Sequence, residues 1–112
     1  MIKSSVIKFG QLFPDAITIV DRVGVQREPK SANGYIVVAK TMTWASKSAM
    51  DNNEEHIHTA SYIFTDIPMP AKSPNMLDLK PLIADDKTGL QITDDIEEIL
   101  LTLPVFAGGT AL

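Results

Sequence analysis

Apolar and polar positions alternate along the middle of the chain, and that alternation predicts strands. Tyr35–Ala45 has Ile36, Val38, Lys40, Met42 and Trp44 on one face, with Tyr35, Val37, Ala39, Thr41 and Thr43 on the other. Lys40 interrupts an otherwise apolar face, so alternation leaves open which side is buried. Ile57–Ile67 has Ile57, Thr59, Ser61, Ile63, Thr65 and Ile67 facing one way, and His58, Ala60, Tyr62, Phe64 and Asp66 the other, with His56 before it on that side. Two earlier strands are predicted. Ser4–Gly10 is short. Ala16–Gln26 places Ile17, Ile19, Asp21, Val23 and Val25 on one face, with Gly24 marking a bulge or bend. Gly10–Asp15, with Pro14, is the predicted turn between them.

Arg27–Gly34 reads as a loop ending in an Asn33-Gly34 turn, and Ser46–Glu55 as a long polar hairpin loop. Pro68 and Pro70 end the last strand, because proline cannot donate to the ladder. Ser73-Pro74 then predicts a helix start. Met76, Leu77, Leu79, Leu82 and Ile83 form its apolar stripe, and Pro81 should kink or split it. Asp85–Gly89 is a turn. Thr93 is the predicted cap of a second helix, with Asp94, Asp95, Glu97 and Glu98 in its first turn. Ile96, Ile99, Leu100 and Leu103 follow helical spacing, and Pro104 stops the run. A helix of about ten residues is unstable alone, so it must pack on the sheet or on another chain.

At 112 residues this is one domain, spanning 1–112, with one modest core. Cysteine is absent, which excludes disulfides and thiolate metal sites and fits a reducing compartment. No apolar run reaches the ~20 residues of a membrane helix, and Met1–Ser5 gives no apolar leader segment. Charge is distributed unevenly. Residues 1–50 carry seven Lys or Arg against three acids, whereas residues 51–112 carry three against eleven. A basic half of this kind can meet a polyanion.

No catalytic motif appears. Serines lack a nucleophile-elbow context, Gly108-Gly109 lacks a following helix, and Asp85-Asp86 and Asp94-Asp95 lie in no calcium-loop pattern. His56 and His58, near Glu54 and Glu55, share a strand face, but a third metal ligand is missing. No metal or cofactor is expected. Tyr62, Phe64 and Tyr35 can stack on splayed bases, while Lys40, Thr41, Thr43 and His58 can contact phosphates or base edges. Tyr62 and Phe64 can equally be core residues.

Element order and local strings resemble the coat proteins of single-stranded RNA bacteriophages, the leviviruses. The matching residues are Lys3–Gly10, Ser31–Val38, His58–Pro68 with its Ser61-Tyr62 strand and Ile67-Pro68 exit, and the tail Glu97–Pro104. The chain departs from that pattern in its shortness, in Pro81 within the first helix and in its negative net charge. The resemblance implies an α+β fold: an antiparallel sheet with an N-terminal hairpin and two C-terminal helices packed on one face. It implies an intertwined homodimer and a virion shell assembled in the bacterial cytoplasm, with an RNA hairpin bound on the inner sheet surface. It makes Tyr62 the expected stacking residue, followed by Phe64 and Asp66, and turns the acidic helices outward. Loops Arg27–Gly34, Ser46–Glu55 and Pro68–Ser73 become the expected contacts between dimers. The alternatives are a small dimeric binding or phage accessory module without an RNA role, and a metal-dependent enzyme using His56 and His58.

Overall fold

The computed structural model describes residues 1–67, 79–83 and 86–112. Strands β1 (Ile2–Lys8), β2 (Gln11–Arg27), β3 (Tyr35–Trp44), β4 (His58–Phe64) and the two-residue β5 (Thr110–Ala111) form one antiparallel sheet in the order β4-β3-β2-β1-β5. Helix α1 (Lys47–Asp51) follows β3, and α2 (Gly89–Leu100) follows a 3-10 turn at Lys80–Ile83. The class is α+β, as the alternation and helical spacing predict. The expected helix start at Ser73-Pro74, with Met76 and Leu77, lies outside the described residues, as does the Pro68–Ser73 loop up to its junction with β4. The described end of that expected helix is the 3-10 turn, in which Leu82 is buried.

The β1–β2 connection is tighter than the sequence suggests. Phe9 (φ 56°) and Gly10 (φ 69°) make a two-residue turn, and Lys8 pairs with Gln11. Positive φ at both central positions matches the right-handed strand twist. The turn expected over Gly10–Asp15, with Pro14, is not there. Instead the register slips there: Ser4 pairs with Ala16 and Val6 with Phe13, so Pro14 and Asp15 together face Ser5. In that irregular stretch the missing proline N–H costs no ladder bond.

A second bulge corrects the facing of β2. Val20 pairs with Thr41 and Arg22 with Lys40, leaving Asp21 as the extra residue. One extra residue inverts the alternation beyond it. Ile17 and Ile19 therefore lie on one face and Val23 and Val25 on the other, rather than all on one. The bulge falls at Asp21, not at Gly24.

Helix α2 lies on the face displaying Val20, Val37, Ala39, Tyr62 and Phe64, and these pack with Ile96 and Leu100 into the main core. Its start is Thr88, not Thr93: the Thr88 hydroxyl accepts from Gln91 N–H while the Gln91 amide oxygen accepts from Thr88 N–H. This capping box satisfies two helix-end donors at once. Thr93 instead bonds the Leu90 carbonyl inside the helix, and Asp95 pairs with Lys87 at 2.6 Å. Glu97 does not face outward. It is buried against the sheet, its Oε1 accepting from the Val20 N–H at the bulge (3.1 Å) and its Oε2 lying 2.5 Å from the Met1 ammonium. The expected Ser46–Glu55 loop contains α1, capped by Ser46 and packed on β2 and β3 beside the buried Ile17 and Ala49.

Candidate nucleic-acid interface

The register divides the residues expected to bind RNA between the two faces of the sheet. Thr43 pairs with His58, Thr41 with Ala60, Ala39 with Tyr62 and Val37 with Phe64. All of these sit on the face that α2 covers. Thr41, Thr43, His58 and Tyr62 come together in one cleft of about 250 Å³, joined by Lys8 and Thr18. Its floor is a seam of satisfied hydroxyls. Thr18 and Thr43 bond each other at 2.8 Å, and Thr41 donates to the Ala60 carbonyl at 3.3 Å. Lys8 Nζ lies 3.2 Å from His58 Nδ1 at the mouth. The Tyr62 ring is 5% exposed and tilts against Phe106, with ring centroids 5.9 Å apart. Burial pushes its phenol above the ordinary 10.0. Phe64 is fully buried. Stacking on a splayed base needs an open ring face, and neither ring offers one in this chain.

Lys40 lies on the opposite, open face. There Arg22, Lys40 and Ser61 stand in one row across β2, β3 and β4, because Arg22 pairs with Lys40 and Lys40 with Ser61. All three are exposed. Neither Arg22 nor Lys40 has an ion-pair partner among the described residues. The neighbouring rows are Ile19–Met42–Thr59 on one side and Gly24–Val38–Ile63 on the other, their aliphatic members half-buried. Sequence reasoning missed Arg22, since the bulge that puts it beside Lys40 leaves no trace in the alternation. Among the described residues, this face is closed at one end by α1 and Trp44. The Trp44 Nε1 donates to the Glu54 carbonyl at 2.9 Å, and its ring meets His56 edge-on.

His56 and His58 are thus engaged separately, one by Trp44 and one by Lys8. Among the described residues no three His, Asp or Glu side chains are grouped to hold a metal. No family model, curated protein or solved structure matches the chain. No described helix is long and apolar enough to cross a membrane.

Asp66 does structural work beside this face. Ser31 Oγ donates to it at 2.6 Å and the Ala32 N–H at 2.8 Å. The Ser31 bond, then the Ala32 bond, hold its carboxyl below the ordinary 3.8. The same loop is closed by Glu28 N–H to the Gly34 carbonyl at 3.1 Å. β4 pairs only with β3 among the described strands, so its outer edge carries backbone donors and acceptors available to another strand.

Proposed function

We propose that this chain is a coat protein of the levivirus kind: a homodimer that assembles into a virion shell and binds genomic RNA on the open face of its sheet. The observation that carries the proposal is the asymmetry of the sheet. Among the described residues, one face is roofed by α2, while the other carries the exposed Arg22 and Lys40 at its centre. A shell subunit needs such a division, with one side for the container wall and one for its cargo. The RNA contact belongs to Lys40 and Arg22. Thr41, Thr43, His58, Tyr62 and Phe64 serve the fold from the covered side.

Dimer formation uses the β4 edge. Two copies overlapping fully along this seven-residue strand have their dyad at Ser61, the central residue. The row Arg22–Lys40–Ser61 then continues into its copy and gathers four cations on one surface. Exposed Ile7, Phe9 and Leu12 on the β1–β2 hairpin, with exposed Leu90 on α2, supply apolar contacts for further association.

Expression of the chain alone tests the reading by size-exclusion chromatography with light scattering and by electron microscopy. Megadalton particles holding nuclease-protected RNA are expected. A discrete dimer without nucleic acid points to a binding module instead, and a monomer at high concentration removes both readings.

A further inference from the structure

Resting on the assignment of RNA to the open face, we propose that this face binds single-stranded RNA through its phosphates and does not select a base sequence. Base-specific recognition of single strands needs rings that stack and donor–acceptor groups held in fixed array. The face provides neither at its centre. The two rows flanking Arg22 and Lys40 contribute Ile19, Met42, Val38 and Ile63, which pack against sugars and bases alike. Thr59 and Ser61 offer single hydroxyls, which bond any base edge as donor or acceptor.

The rings that could discriminate lie elsewhere. Tyr62 and Phe64 are beneath α2 and the Pro104–Phe106 turn, and Trp44 is fixed at the margin by Glu54 and α1. What remains is charge. Arg22 and Lys40 are opposite each other across two strands, exposed, and unpaired among the described residues. A guanidinium and an ammonium side by side fit neighbouring phosphates of one strand.

The test is fluorescence anisotropy on the intact dimer, with three labelled RNAs of equal length at several salt concentrations: oligo(U), an unstructured mixed sequence and a stable hairpin. The three affinities are expected to agree within about threefold. Log affinity should fall against log salt with a slope of about −3 per dimer, from four phosphate contacts at ~0.7 each. Arg22→Gln and Lys40→Gln should each weaken all three RNAs alike and, by removing two contacts per dimer, each lower the slope by about 1.4. Both positions are exposed, so unchanged melting and elution confirm that the variants are folded. A hundredfold preference for one RNA, or a variant that affects only one RNA, overturns the absence of selection and leaves RNA binding intact. Sequence-neutral affinity unmoved by either variant overturns the phosphate contact at this row. Failure of all three RNAs to bind the dimer removes the RNA assignment itself.

Discussion

Glu97 fastens α2 to the β2 bulge, and two substitutions separate what it contributes. Its Oε1 is the acceptor for the buried Val20 N–H, next to the bulge at Asp21. Its Oε2 meets the Met1 ammonium, which is 40% exposed. Glu97→Leu leaves the Val20 donor unsatisfied, at a cost of about 2 kcal/mol. The half-solvated ammonium contact adds ~0.5 kcal/mol at most, and the extra apolar contact of leucine offsets a similar amount. Glu97→Gln keeps an acceptor for Val20 and loses only the charge, so its cost is below about 1 kcal/mol. Leucine, glutamine and glutamate have nearly equal helix propensities, so the helix itself adds no difference. Urea and thermal unfolding at one fixed protein concentration measure both variants. For a chain of this size the leucine variant should melt about 8 °C below the wild type and the glutamine variant within ~4 °C of it. Exchange of the Val20 amide should accelerate in the leucine variant alone. Equal stability of the two variants would refute the role given to the Val20 bond.

Tyr62 and Asp66 give two further tests. Tyr62→Ala should cost about 3 kcal/mol of stability by emptying the contact with Phe106, whereas Tyr62→Phe should leave RNA affinity unchanged; a loss of affinity in the phenylalanine variant would place the Tyr62 hydroxyl in the RNA site. Because the folded phenol titrates above its unfolded value, wild-type stability is complete below pH 10 and declines as pH rises through the folded value. Tyr62→Phe should remove that part of the alkaline decline in denaturant titrations. Asp66 has the opposite sign: its folded carboxyl titrates below the unfolded 3.8, so its contribution is present above that pH and is lost as pH falls through the folded value. Asp66→Asn should flatten this acid limb, and an unchanged limb would show that the Ser31 and Ala32 bonds do not couple to folding.

The sequence spoke most clearly where packing repeats with a fixed period. Ile96 and Leu100 are fully buried on α2, and Pro104 ends that run in a 3-10 turn, as the spacing implies. The start of the same helix was harder to place, because Thr88 and Thr93 are both plausible caps followed by polar residues. Gln91, three residues after Thr88, was the available signal for the capping box. Other features had no local signature. A left-handed Phe9 is uncommon for a bulky side chain, so Phe9-Gly10 does not stand out as a turn. The bulge at Asp21 depends on Glu97, 76 residues away in sequence, to satisfy the amide beside it. The candidate site inherits that difficulty. Alternation placed Tyr62, Phe64, Thr41 and Thr43 correctly in pairs of strands, yet alternation cannot say which side a helix will roof. Lys40 was the clue: a cation at the centre of a strand belongs on the side left to solvent.

The extra residue in β2 also sets where the chain can change length. Removing Asp21 would set Arg22 directly after Val20, against Lys40 and Thr41, a regular ladder that keeps Val23 and Val25 on the α2 side and Arg22 on the other. A residue added within 28–34 has only a surface turn to lengthen. Related chains should therefore vary in length at that turn or lose the bulge residue itself, whereas one residue added to or taken from the paired stretches of β2 exchanges the two faces of the strand beyond it.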